Sequence, residues 1–362
     1  MRWVITGLEG EAAGAPLLLW FGTHLREALD RGGAAGPNTQ VVWNFFLPGR
    51  PRPYHRAQQA TFVVGVTAGP EPPGDVLEAT YPLLIRSLAN HLVYLVEEPG
   101  ARADRPPRTY FVTLERGHYA VEGQDGDYFA RVLERVQPLA TSHLVIDNAF
   151  LPDLPEGLWQ GNERTAAIAE ASRRLKSMDL LPAPFPIDRL LPSADFEHLR
   201  RLFQLSGLSY GNVSVREPDL GFWMSASGVD KARLERVGEE ILLVRGYDAA
   251  VNRMVVSVPP AARARRVSVD AIEHQMIYER FPGVGAILHV HAWIPGVTST
   301  DVNYPCGTLE LARAVTERLA TLPDPTHGVV GLRNHGLTIT GESLTEIFDR
   351  VSPRLVRQVP ME

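Results

Sequence analysis

Short runs of β-branched and aromatic residues alternate with amphipathic stretches along the first half of the chain, and this alternation restricts the fold more than any other feature. VVWNFFL (41–47), TFVVGVT (61–67), HLVYLVE (91–97), TYFVTLE (109–115) and SHLVIDN (142–148) read as strands. Between them, residues 17–31, 75–90, 126–138 and 162–177 place apolar side chains three and four apart, as in DYFARVLERV, and read as helices. Strands interleaved with helices imply an α/β layer structure. No GxGxxG or GxxxxGK[ST] follows any of these strands, so nothing here marks a nucleotide site.

A seam follows. Pro182, Pro184, Pro186 and Pro192 crowd one short segment, and proline both removes amide donors and holds its predecessors extended. The reading is two domains in 362 residues: 1–185, a smaller α/β or α+β domain of unassigned role, and 186–362. Beyond the seam the pattern predicts a helix at 195–206 and strands near 211–216, 221–226, 240–247 and 251–258. A helix at 268–281, a strand at 284–291, a helix at 308–321, strands at 327–333 and 336–340 and a last helix from 343 complete it. The net charge of −6 argues against a nucleic-acid partner, so an anionic substrate needs a local site. The single cysteine, Cys306, excludes an intrachain disulfide and a cysteine-based zinc knuckle. No stretch approaches the length that spans a bilayer, and the N-terminus lacks a secretory pattern, so a cytoplasmic location is expected.

Three of the eleven histidines stand where chemistry would need them. In GVGAILHVHAW, His289 and His291 are two apart on a strand and share a face; they can hold a divalent metal or form a hydrogen-bonded pair. His335, in LRNHGLTITG, sits in an Asn-His-Gly turn, where it is either a third ligand or a bystander. Three histidines with an open position are the constitution of a catalytic zinc site. In SVDAIEHQMIYER, Asp270, His274 and Tyr278 fall on one helical face. Asp270 is read as acid/base, as an extra ligand or as a helix cap; His274 and Tyr278 are read as packing residues, and Glu273 and Glu279 as solvated. Two Gly-containing turns, Ser209–Asn212 and Ser225–Gly228, are either anion nests or plain turns.

The order GNVSVR, SASGVD, SVD, YERFPGVGAILHVH, YPCGTLELA and LRNHGLTITGESLTE resembles the class II aldolase/adducin superfamily over residues 196–350. The resemblance implies an α/β/α domain with a mainly antiparallel central sheet, assembled as a homo-oligomer, usually a tetramer. It implies a divalent metal on His289, His291 and His335, usually Zn²⁺, with Fe²⁺, Mn²⁺ or Co²⁺ as alternatives. It also implies a phosphate or equivalent anion held by Ser209, Gly211, Asn212, Ser227, Gly228 and Ser268. Asp270 takes the position that carries Glu in the sugar-phosphate aldolases and Asp in the ribulose-phosphate 4-epimerases.

Four departures qualify the match. Val269 replaces the second serine of the phosphate-binding pair, and the stretch from His291 to His335 is short, with Asp301 or Tyr304 as candidate replacements for a second acid/base. The chain ends at Glu362, soon after the last predicted helix, so a tail reaching a neighbouring site is not expected. An additional domain precedes the matching region. The function expected is retro-aldol cleavage of a small hydroxy-carbonyl compound through a metal-stabilised enediolate. The alternatives are epimerisation, dehydration, decarboxylation or iron-dependent oxygen chemistry at the same site, or a non-enzymatic adducin-like scaffold.

Overall fold

The computed structural model describes residues 2–32, 40–55, 61–98, 105–113, 118–123, 127–178, 211–231, 233–357 and 359–361. The proline seam, the helix expected at 195–206 and Ser209 lie outside the described residues. The chain is mixed α/β with two sheets, divided into two compact units.

The first unit is built on a six-stranded sheet in the order β1 (Arg2–Thr6), β2 (Gln40–Phe45), β3 (Thr61–Gly69), β4 (His91–Val96), β5 (Thr109–Thr113) and β6 (His118–Val121). The first four strands run parallel, and β5 and β6 add antiparallel. Strands β1, of five residues, and β6, of four, are not among those expected from the sequence pattern. Helices α1 (Pro16–Gly32) and α3 (Tyr128–Thr141) cover one face, where Leu18, Phe21, Leu25, Val132 and Val136 meet Trp43, Val64, Val66, Val93 and Phe111. Helix α2 (Val76–Arg86), capped by the Asp75 carboxylate on the Leu77 N–H, packs on β4 and β5.

The second unit carries an eight-stranded sheet. Its strands are β7 (Asp147–Leu151), β8 (Gly211–Glu217), β9 (Gly221–Ser225), β10 (Ile241–Asp248), β11 (Arg253–Ser257), β12 (Ala286–Val290), β13 (Val329–Leu332) and β14 (Gly336–Gly341), in the spatial order β13-β14-β12-β8-β9-β10-β11-β7. All neighbours pair antiparallel except β7, which lies parallel to β11 at the edge. Period-two alternation sorts the side chains: Phe222, Met224, Leu242, Val244 and Ile287 pack under α5 (Ala271–Arg280) and α6 (Leu309–Ala320). On the other face Val213, Trp223, Leu243, Leu288 and Val290 meet α4 (Glu163–Ser177) and α7 (Leu344–Val351). The result is a helix–sheet–helix sandwich.

The boundary near residue 185 is displaced. Among the described residues the first unit takes those up to Ser142 together with Met361, and the second takes those from His143 to Pro360. The strand expected at 142–148 forms at Asp147–Leu151, on the edge of the second sheet, and α4 buries Ile168, Ala171 and Leu175 in the second core. An amphipathic helix announces its apolar face but not the sheet that will receive it. Ile168→Ala, at a fully buried site, is expected to cost about 2–5 kcal/mol. Hydrogen exchange should accelerate in α4, β8 and β9 while β2–β4 keep their protection; loss of protection in β2–β4 instead would return α4 to the first unit.

Candidate functional site

The site is one face of three adjacent strands with the start of a helix laid across it. Strand β12 pairs with β8 on one side and β14 on the other, and His289 stands opposite both Asn212 and Thr338. Directly opposed residues share a face, so Asn212, His289 and Thr338 project together, with Ser214 one step along beside Ile287. Helix α5 answers residue by residue. The Asn212 amide donates to Asp270 Oδ2 (2.6 Å), Thr338 Oγ1 donates to Glu273 Oε1 (2.5 Å), and His274 Nδ1 and Ser214 Oγ are 2.7 Å apart. Ser214 in turn bonds the Tyr278 hydroxyl (2.8 Å), and the Arg216 guanidinium lies over the Tyr278 ring. His274 and Tyr278 thus tie α5 to β8.

Two glycines let the backbones close up. A Cβ on Gly211, whose φ is +138°, would sit 2.0 Å from the His289 carbonyl oxygen, and one on Gly336 would sit 2.3 Å from that of Val290. In the turn between β13 and β14 the left-handed position is Asn334 (φ +57°), which suits asparagine. The glycine of Asn-His-Gly therefore serves close approach, and the asparagine makes the turn.

These constraints bring His289, His291 and His335 together. One ring nitrogen from each lies within 4.8 Å of the others, and the Nε2 atoms of His335 and His289 are 3.2 Å apart. His289 Nδ1 is 3.0 Å from the Leu337 carbonyl oxygen, which can only accept, so Nδ1 carries the proton and Nε2 presents its lone pair to the other two rings. Burial lowers the His289 pKa to about 4, which keeps the ring neutral. Neutral imidazoles with converging lone pairs are the donor set that zinc and related divalent ions take. The residues present fit a metal.

Asp270 is buried and occupies the N-cap position of α5, yet its carboxylate makes no capping bond. Burial by itself would raise its pKa; the neighbouring His289, His335, His274 and Lys231 outweigh that and hold it below the ordinary carboxylate value. An ionised carboxylate beside the three imidazoles is placed to accept a proton.

The sequence reading missed three groups. Lys231, just past the SASGVD turn, has its ammonium group enclosed and donating to the Gly211 carbonyl oxygen (2.5 Å); burial lowers its pKa to about 8, against the pull of Asp270. Glu273, read as solvated, is 2% exposed, and burial together with the charge of Asp270 raises its pKa to about 8. Cys306 Sγ lies 3.1 Å from His335 Nε2. The spacing of Glu273 from Asp270, i and i+3, was a usable signal, because both then lie on the sheet side of α5.

The expected anion-binding residues divide. Asn212 spends its amide on Asp270, and the Gly211 carbonyl receives Lys231. The Ser227 N–H donates to Arg266 O, Ala226 bridges Val267, and the Ser268 N–H donates to Ser225 O, so the turn containing Ser227 and Gly228 lies against the segment entering α5. Val269 is exposed there. Asp301 is exposed and ion-paired with Arg318, whereas Tyr304 packs against the apolar cluster under α6.

The Glu273 carboxyl fixes the sign of a pH effect. Its pKa rises from 4.5 unfolded to about 8 folded, so between these values the unfolded chain releases a proton that the native state keeps. Stability contributed by neutral Glu273 is complete below pH 4.5 and is lost as pH rises through 8. Glu273→Gln, which keeps a neutral hydrogen-bonding group, should flatten that part of the stability profile in urea titrations. An unchanged profile would mean that Glu273 ionises in the native state.

Known proteins are similar to parts of this chain. Residues 196–295 match the family model of the class II aldolase and adducin N-terminal domain. Methylthioribulose-1-phosphate dehydratase from Citrobacter koseri is 34% identical over 95 residues, 26% of this chain and 41% of that protein. The Stenotrophomonas maltophilia enzyme of the same name is 29% identical over 126 residues, 34% of this chain and 54% of that one. The chain thus spans about two fifths to one half of the length of these curated relatives. Among solved structures, L-fuculose-1-phosphate aldolase from Thermus thermophilus aligns at TM-score 0.34 and 23% identity, over 53% of this chain and 89% of that one. Over residues 196–295 this chain is similar to the class II aldolase and adducin family.

Proposed function

We propose that the chain is a divalent-metal-dependent lyase acting on a small hydroxy-carbonyl compound that bears an anionic group. The observation that carries this reading is the convergence of His289, His291 and His335 beside the buried Asp270. His289, His291 and His335 would hold a divalent ion, zinc by the character of the donors, which would supply Lewis-acid polarisation of a substrate carbonyl oxygen. Asp270 takes the proton from the carbon next to that carbonyl. Asn212 holds the carboxylate in place for the transfer, and Lys231 faces the same region with a positive charge that favours an anionic substrate. The turn at Ser227 and Gly228, with Ser268, takes the far end of the substrate.

Which proton the base takes decides between the reactions. In dehydration the electron pair left by the C–H bond forms a C=C bond, and the β-hydroxyl takes up a proton and leaves as water. In retro-aldol cleavage the base takes the proton of the β-hydroxyl and a C–C bond breaks instead. The names of the curated relatives favour dehydration, and cleavage stands second. A homo-oligomer in the cytoplasm is the setting we propose. Among the described residues no helix is long and apolar enough to cross a membrane.

The tests separate the parts. His289→Ala should lose bound metal, read by elemental analysis as metal per chain, and lose activity with it; turnover by verified metal-free protein would overturn the reading. Asp270→Asn should keep its metal and lose about 10²–10⁴-fold in turnover of methylthioribulose-1-phosphate. Lys231→Met should raise KM for that substrate more than it lowers kcat. In the parent protein, KM should rise as pH passes 8, where the ammonium loses its charge. A KM that is independent of pH there removes Lys231 from the substrate site.

A further inference from the structure

The first unit contains a cleft that the lyase reading does not use. It has a volume of 440 Å³ and opens beyond the carboxyl ends of β1 and β2. Thr6, Gly7, Glu9, Phe45, Arg50 and Arg52 line it. Its size suits a small molecule, and the carboxyl ends of parallel strands are where open α/β sheets place their ligands.

The walls are built. A Cβ on Gly7 (φ +89°) would fall 2.0 Å from the Phe45 carbonyl oxygen, so the turn leaving β1 lies tight against the end of β2. Asn44, fully buried in β2, donates to the Arg52 carbonyl (2.7 Å), and Arg52 Nη2 donates to Thr6 Oγ1 (3.1 Å). Arg52 is thereby held at backbone and side chain alike. The Arg50 N–H donates to Leu47 O (2.9 Å), closing a turn that carries Arg50 to the same mouth. Two arginines and one carboxylate residue, Glu9, share the lining of the cleft.

We propose that this cleft binds a small phosphorylated metabolite, with its phosphoryl group between Arg50 and Arg52 and a hydroxyl or ammonium group toward Glu9. The planar donor forks of arginine match phosphoryl oxygens, and an ammonium or hydroxyl group of the ligand can bond the Glu9 carboxylate. The chemistry requires no residue of the second unit.

Arginine-specific labelling of the full-length protein with phenylglyoxal, read by mass spectrometry at each arginine, tests this with inorganic phosphate as the probe. Saturating phosphate should slow modification of Arg50 and Arg52 by about tenfold and leave the exposed Arg354 unaffected. Arg52→Gln, at an exposed position, should fold normally by circular dichroism and abolish the protection of Arg50. Absence of protection, or equal protection at Arg354, would overturn the proposal. Protection by acetate at matched ionic strength, but not by phosphate, would overturn the phosphoryl assignment.

Discussion

The pairing of β12 between β8 and β14 is the constraint on which the site depends. It sets His289 opposite Asn212 and Thr338, and it brings His335, at the mouth of the β13–β14 turn, back to His289 on β12 and His291 just beyond its end. A one-residue slip of β12 would turn both His289 and His291 to the opposite, apolar face. The registration is held by apolar packing on both sides of the sheet, with Ile287 in one cluster and Leu288 and Val290 in the other. The core therefore determines where the imidazoles point.

Burying this much polarity is costly unless each group finds a partner. The helix across the face supplies the partners: Asp270, Glu273 and His274 each meet a strand residue. Two carboxyls one helical turn apart cannot both be charged cheaply in such a place. The structure resolves the conflict by environment. Asp270, surrounded by three histidines and a lysine, stays ionised, whereas burial and the charge of Asp270 keep Glu273 protonated despite the hydrogen bond from Thr338. One carboxyl is left able to accept a proton, and the other, already protonated, accepts a hydrogen bond from Thr338.

Much of this was legible in the sequence where the information is local. Strands at 61–67 and 91–97 and helices at 162–177 and 308–321 follow from apolar period, and the structure places each within a few residues. The pair His289 and His291 was visible because a strand repeats every two residues. Asp270, His274 and Tyr278 were visible because a helix repeats every 3.6. Glu273 was misread: a charged residue between apolar ones on a helix looks solvated until a threonine from another strand is set against it.

The sequence by itself determined the elements, the side chains that share a face within each, and the histidine and aspartate types that a metal-assisted proton transfer uses. Only the tertiary structure decided that the second unit begins at His143, with β7 and α4 completing it. It alone set Lys231 near Asp270, Cys306 beside His335, and Arg50 and Arg52 at one cleft. The physical reason is separation along the chain. Periodicity reports neighbours within a single element, whereas these contacts join residues that meet only after strands have paired and cores have closed.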